Sequence, residues 1–204
     1  MMKSYPKLAS LIVGLLIWGI AASCGAASYY YTIEQPDVSS EQIKSATEFK
    51  VKPIDFNAIN PKDLDYNTTE EWNADSKDVP KAFADSFPVL QKEAGAKSKK
   101  IVMIKRDEPV SEGIVVDVVV KKILLKWNYF SGQPDEYICY VNFTDAVSGQ
   151  KLFTAIINVN SRAVNPYAKT WGIGFSGRIQ IAAYNIALVL TKIMTQGKID
   201  PADY

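Results

Sequence analysis

The chain has 204 residues and a formal net charge of +1, and it contains no histidine and only two cysteines. A chain so close to neutral lacks the basic excess that nucleic-acid binding requires. Without histidine, a Ser-His-Asp triad, a Cys-His dyad and a histidine-ligated zinc site are all excluded. The composition therefore favours a non-enzymatic protein, and we expect no cofactor, no metal site and no catalytic residue.

The N-terminus has the pattern of an export signal. Lys3 and Lys7 precede an uncharged apolar run that ends in small residues before Cys24. A basic region, an apolar core and a small-residue cleavage region, in that order, are typical of signal peptides, and we predict one over 1–23. The alternative is an uncleaved membrane anchor, because residues 8–27 carry no charge and are numerous enough to span a bilayer. Either anchor places the following domain outside the cytoplasm.

The end of this signal, Ala21-Ala22-Ser23-Cys24, resembles a lipobox, the cleavage site of bacterial lipoproteins, although Ala21 stands where leucine is usual. The resemblance implies that Cys24 carries a lipid and anchors the chain in the cell envelope. The domain would then face the periplasm, from the outer rather than the inner membrane. Cys139 remains as a single thiol, so we predict no intrachain disulfide.

Small and polar residues dominate positions 24–46, which we predict to be a lipidated N-terminus followed by a flexible tether. The tyrosines Tyr29, Tyr30 and Tyr31 are unusual in a tether. They would lie either at the membrane interface or in an early edge strand. The remaining residues, 47–204, are predicted to form one periplasmic domain.

The first strand of this domain is predicted over 47–56, where apolar and charged residues alternate. Pro53 cannot donate a ladder hydrogen bond, so this strand lies at a sheet edge or ends its pairing there. Turn-forming residues dominate 57–77, which we predict to be a loop.

A helix is predicted over 78–95 from apolar residues that recur at three- and four-residue steps. Pro88 falls inside this pattern, so we expect a kink there or a restart that Ser86 caps. A short strand follows over 100–105.

Three strands are then predicted over 113–129, 136–144 and 151–160, with short connections that make an antiparallel meander. In the first of these strands the alternating apolar set occupies even-numbered positions before Lys121-Lys122 and odd-numbered positions after them. Since a period-two pattern cannot change face without an irregularity, this switch predicts a β-bulge.

The last helix is predicted over 176–196. The six residues 172–177 that lead into it match GxGxxG, but no strand directly precedes the glycines, so we exclude a dinucleotide site. Ser176 in this motif is predicted to cap the helix.

Two amphipathic helices and about five strands predict an α+β domain, with a mostly antiparallel sheet and both helices on one face. The residues of the meander that alternation assigns to the outward face are unusually apolar for a solvent-facing surface. They include Ile138, Tyr140, Leu152 and Ile156 among polar residues. We expect either that helices of the same chain cover these residues, which we favour, or that they bind a partner.

The order of elements now resembles a known group. The chain has a first strand containing VKPIDF (51–56), then a helix, a strand, a meander closing on TDAVSGQKL (144–152) and an Ala/Ile-rich final helix. This order resembles bacterial envelope lipoproteins related to the TolB amino-terminal domain and to curli-secretion lipoproteins. The resemblance implies a binding or assembly module for other envelope proteins. The alternative is a self-assembling subunit of a secretion or pore complex, and hence a homo-oligomer. An enzyme ranks third, because no spacing of Asp, Glu, Ser or Lys indicates a catalytic pair.

Overall fold

The computed structural model describes residues 30–33, 40–95, 98–128, 130, 132–163, 167, 171–172 and 174–197. The predicted signal peptide and Cys24 lie outside them. The strands are β1 (Tyr30–Ile33), β2 (Glu48–Val51), β3 (Lys100–Met103), β4 (Ile114–Leu124), β5 (Glu136–Asp145) and β6 (Lys151–Asn160). The helices are α1 (Ser40–Ser45), α2 (Thr69–Ser76), α3 (Val79–Glu93) and α4 (Phe175–Gln196), with a 3₁₀ turn over Pro61–Leu64.

All six strands belong to one sheet, in the order β1-β6-β5-β4-β2-β3. The predicted meander of β4, β5 and β6 is antiparallel, and β1 adds to it antiparallel to β6. The strands β2 and β3 complete the sheet parallel to β4. The α+β class with a mostly antiparallel sheet is therefore confirmed, with six described strands where about five were predicted.

The predicted irregularity in β4 is present. The register with β5 shifts between Val120 and Lys122, which returns Ile123 to the buried face. Pairing ends at Leu124, earlier than predicted, and Leu125 beyond it is 40% exposed. The apolar alternation after the bulge therefore continues into a loop, where it no longer marks a sheet face.

A single hydrophobic core lies between the sheet and the helices. The helices α3 and α4 pack against each other and place their apolar faces on one face of the sheet, as predicted. The inward residues of β5 are fully buried, and Cys139 is among them as a free thiol. The inward sheet residues of the core include Phe49, Val51, Val116, Val118, Tyr137, Val141, Phe143, Ala155, Ile157 and Val159.

Helix α3 runs through Pro88 without the predicted restart. Ser86 does not cap a new helix, because its hydroxyl donates to the Ala82 carbonyl oxygen at 2.6 Å, within the same turn. Phe83 and Phe87 are buried one turn apart, with ring centroids 5.0 Å apart. Burial of this aromatic pair, in the turn that leads into the proline, offsets the hydrogen bond that the proline removes.

The segment 57–77 is not only a loop. Helix α2 begins with a capping box in which the Thr68 hydroxyl accepts the Glu71 N–H, and the Glu71 carboxylate accepts the Thr68 N–H. Trp72 of this helix is buried and contacts the rings of Tyr66 and Phe175. The helix was missed because Trp72 is its one buried residue, and a single buried position gives no periodicity.

The described part of 24–46 is also ordered, which corrects the prediction of a tether. Strand β1 pairs Tyr30 with Asn158, so the edge-strand alternative holds for this part of the tyrosine cluster. Helix α1 places Ile43 in the core with no exposed surface. Both elements are too short for a sequence pattern, and their contacts with β6 and α4 supply the missing stabilisation.

Strand β2 lies between β3 and β4, so it is not the edge strand that Pro53 suggested. The other alternative, that the pairing ends near Pro53, is correct, because the regular ladder with β4 ends at Val51. Beyond Pro53 a single bridge joins Asp55 to Val119.

Candidate functional site

The face of the sheet that points away from the helices, which we call the open face, carries the predicted partner-binding residues. All four described helices place side chains in the core on the other face, and Ile43, Trp72, Phe83 and Ile186 are examples. The favoured expectation that helices cover the open face is therefore wrong for the helices that the structure describes.

An apolar row crosses the open face. Val119 of β4 lies opposite Tyr140 of β5, and Tyr140 lies opposite Ile156 of β6. Ile138 lies on the same face in the neighbouring row, between Lys122 and Asn158 in register. Tyr140 and Ile138 are half-buried, whereas Ile156 is 36% exposed. Directly opposed apolar side chains present a continuous surface that water solvates poorly.

Leu152 does not belong to this surface, which corrects the prediction. The register between β5 and β6 shifts at this point, because Phe143 pairs with Phe153 whereas Thr144 pairs with Lys151. Leu152 is the extra residue of this irregularity. It is only 3% exposed and belongs to the buried hydrophobic cluster together with its neighbour Phe153. Simple alternation assigns such a residue to the wrong face.

Polar contacts flank the apolar row on the side of β2. Arg106 forms ion pairs with Asp55 at 3.2 Å and Asp117 at 3.3 Å, and it donates to the Pro53 carbonyl oxygen at 2.7 Å. Asp117 therefore has a counterion and is not an isolated carboxylate. On the other side of the apolar row from Ile138, the Thr154 hydroxyl donates a 3.0 Å hydrogen bond to the Asn142 side-chain oxygen.

The outer strands of the same face carry a second charged cluster. The Glu48 carboxylate lies 2.5 Å from the Lys50 ammonium and 3.0 Å from the Lys100 ammonium. Both hydrogen bonds lower the pKa of Glu48, and the bond from Lys50 has the larger effect. The same bond to Glu48 raises the pKa of Lys50. The apolar row is thus bordered by paired charges, an arrangement typical of protein-binding patches.

A buried ion pair that the sequence did not indicate joins four elements at one end of the sheet. The Asp135 carboxylate is fully buried and accepts from Arg178 Nε of α4 at 2.7 Å. Its other oxygen accepts the backbone N–H groups of Lys126 and Trp127, just after β4. The Asp135 N–H donates to the Ser161 hydroxyl, just after β6. Sequence periodicity placed Arg178 off the core face, so the pair was missed.

This ion pair borders a cavity of about 340 Å³, which Trp127, Arg162, Arg178 and Ile181 help to line. The Arg178 guanidinium lies 4.8 Å from the centroid of the Trp127 ring and is held by Asp135. Among the described lining residues there is no carboxylate and no thiol.

Two buried groups have strongly perturbed acidities without an evident chemical role. Burial raises the pKa of the Cys139 thiol, so it stays protonated and unreactive. Burial also raises the pKa of the Tyr137 hydroxyl, with the Asp135 charge adding to the effect. That hydroxyl has no hydrogen-bond partner among the described residues. In the part of the chain that the structure describes, no three acidic or thiol side chains cluster as metal ligands.

The glycine motif before α4 has a packing role. The cap residue is Gly174, so Ser176 lies inside the first turn, which corrects its predicted capping role. A Cβ atom at Gly177 would lie 2.1 Å from the Trp171 carbonyl oxygen. Glycine is therefore needed at 177 because the preceding loop passes directly over the helix.

Two predicted features concern the membrane. Cys24, the predicted lipidation site, lies outside the described residues. None of the helices in the described ranges is long and apolar enough to cross a bilayer.

Comparisons with known proteins gave structural neighbours only. No family model and no curated protein matches the chain. A PelC dodecamer from Paraburkholderia phytofirmans is similar at a TM-score of 0.39 and 10% identity, over 85% of this chain and 100% of that one. A single-substitution variant of that dodecamer is similar at a TM-score of 0.38 and 10% identity, over 84% and 98%. Likeness at this level carries no conclusion about function.

Proposed function

We propose that this chain is a lipid-anchored protein of the bacterial envelope whose periplasmic domain binds other envelope proteins and catalyses no reaction. The observation that carries the proposal is the apolar row of Val119, Tyr140 and Ile156 on the open face. The predicted signal peptide and the resemblance of residues 21–24 to a lipobox support the location, and the absence of histidine supports a role without catalysis.

The shape of the open face favours a protein over a small molecule. Small molecules bind in concave sites that enclose most of their surface, whereas a sheet face is broad and shallow. Its apolar centre and charged border match the core and rim of a protein interface. A binding protein that covers Tyr140 and Ile156 would remove their exposed apolar surface from water, which favours association.

Affinity purification after crosslinking in living cells tests this role. We expect the wild-type chain to recover a specific envelope protein, and Ile156→Asp to lose it, because a carboxylate would be desolvated in the apolar row. Val147→Asp is the matched control, since Val147 is 77% exposed in the turn between β5 and β6. Recovery of the chain alone, or equal losses from both variants, would contradict the proposal.

The anchor has its own test. Mass spectrometry of the mature N-terminus should find a diacylated or triacylated Cys24. An intact Met1 would instead indicate the uncleaved anchor and overturn the lipoprotein assignment.

Self-assembly into a secretion or pore complex is the second candidate. The observation that favours it is the outer side of β3, where no further strand pairs in the described parts of the chain. Such an edge can accept a strand from a second copy. A ring requires a large species in mild detergent, so a purely monomeric protein there would exclude this alternative.

A further inference from the structure

The loop between β4 and β5 exposes large apolar side chains. Phe130 in this loop is 100% exposed, and Leu125 at its start is 40% exposed. Both side chains keep apolar surface in contact with water, and a partner with an apolar layer would remove that surface from water.

Hydrogen bonds join several described residues of this loop. The Phe130 N–H donates to the Asn128 side-chain oxygen at 3.0 Å, and the Gly132 N–H donates to the Asn128 carbonyl oxygen at 3.1 Å. Beneath them, the buried Asp135 carboxylate accepts the Trp127 N–H at 3.0 Å. These hydrogen bonds hold the backbone at the described loop residues Phe130 and Gly132.

Basic side chains flank the loop. Lys121, Lys122 and Lys126 line a groove of about 660 Å³ at the end of β4, and Asp63 and Asp65 line the same groove. The acidic pair offsets part of the basic charge, so electrostatic attraction to an anionic surface is modest. The apolar side chains of the loop supply the larger contribution to any surface contact.

The topology brings the start of β1 to the end of the sheet that carries this loop. Tyr30 pairs with Asn158, Asn158 pairs with Ile138, and Ile138 pairs with Lys122. The first residue of β1 therefore lies at the end of the sheet where β4 runs into the loop. Five residues lie between Cys24 and Tyr30, so the two lie no more than roughly 20 Å apart.

We propose that the loop between β4 and β5 contacts the phospholipid bilayer, with Phe130 inserted at the boundary between headgroups and acyl chains. The inference rests on the proposed lipid anchor at Cys24, which keeps this end of the sheet near the membrane. Aromatic rings are favoured at that depth, and the flanking lysines Lys121 and Lys122 can extend their ammonium groups to lipid phosphates.

Depth-dependent quenching tests the contact. The full mature chain carries a bimane label on Phe130→Cys or, as the control, on Val147→Cys in the turn at the opposite end of the meander. Both are reconstituted in phosphatidylethanolamine–phosphatidylglycerol vesicles that contain lipids with nitroxides on the acyl chains. Strands of this length separate the two labels by roughly 30 Å, so only a label near the bilayer is quenched.

We expect loss of fluorescence at position 130 and none at position 147. Equal quenching at both positions, or none at 130, would overturn the membrane contact. Mass spectrometry of the same samples separates this inference from the proposed anchor. An acylated Cys24 without quenching at 130 refutes the loop contact alone, whereas quenching without acylation refutes the anchor and leaves the contact standing.

Discussion

At the scale of single residues, the most consequential contact is the one between Asp135 and Arg178. The two are separated by 43 positions, and Arg178 falls on the polar side of the helical pattern. Periodicity indicates only which apolar residues share a face. It therefore could not predict that the charged Asp135 is buried together with its counterion Arg178. The inward set of β5 was predictable because alternation and burial coincide there. In β6 they do not coincide, because Leu152, Thr154 and Asn160 are buried at positions that alternation assigns to the outward face.

Removing one partner of this pair should be costly. We expect Arg178→Ala to lower the free energy of unfolding by about 3–5 kcal/mol, because the fully buried Asp135 charge loses its counterion. Urea denaturation followed by circular dichroism measures the loss. Lys81→Ala is the control, since it breaks an exposed pair with Asp85 and should leave the free energy of unfolding close to that of the wild type. Comparable losses in both variants would contradict the assigned role.

Gly177 gives a second prediction at this scale. We expect Gly177→Ala to destabilise the domain by about 1–3 kcal/mol, because the added methyl group collides with the Trp171 carbonyl oxygen. Gly174→Ala, where nothing lies within 4 Å of the new Cβ, should cost less than about 1 kcal/mol. Thermal melts of the two proteins compare them directly, and a reversed order would argue against the close approach at 177.

At the scale of elements, the long strands and helices were predictable and the short ones were not. Strands β4 to β6 and helices α3 and α4 each repeat their pattern often enough to be recognised. Helix α2 has a capping box but one buried residue, and α1 has six residues. Such elements are stabilised by tertiary contacts, which a local pattern does not contain. The Thr68-x-x-Glu71 motif was the one signal that could have identified α2.

That capping box can be tested. Thr68→Ala removes the acceptor for the Glu71 N–H, and we expect it to lower the free energy of unfolding by about 1 kcal/mol. Thr69→Ala changes the adjacent exposed threonine in the first turn and should stay within about 0.5 kcal/mol of the wild type. Chemical denaturation measures both, and an unchanged stability in Thr68→Ala would mean that the box is not formed in solution.

At the scale of the whole molecule, the absence of histidine predicts how stability depends on pH. Lys126 lowers the pKa of Glu136 through a 2.5 Å ion pair, and Lys50 and Lys100 lower the pKa of Glu48. As the pH falls, the unfolded chain binds these protons first. The stability that the pairs contribute is therefore complete above the ordinary pKa of 4.5 and is lost as the pH falls through the lowered folded-state values.

Between pH 5.5 and 8 we expect the free energy of unfolding to stay constant, because the chain has no histidine and burial raises the pKa of Cys139. Below pH 4.5 it should fall. Glu136→Gln should show a shallower acid loss than the wild type. Urea denaturation across this range checks both statements, and a transition near pH 6.5 would be incompatible with them.

The open face is also a property of the whole molecule. Tyr140 and Ile156 were predictable as an apolar outward set, but the sequence could not show on which side the helices would pack. That side is decided by the pairing of strands distant in the chain. The described helices occupy the opposite face, and the proposed function assigns the apolar row to a binding partner.

Site-specific photocrosslinking in living cells tests the proposed protein-binding face most directly. A photoreactive amino acid replaces Tyr140 on the open face or, as the control, Val147 in the distant turn. The proposed function predicts one reproducible adduct with another envelope protein from position 140, none from position 147, and loss of the adduct when Ile156→Asp is added. Absence of any adduct at 140, or the same adducts from both positions, would contradict it.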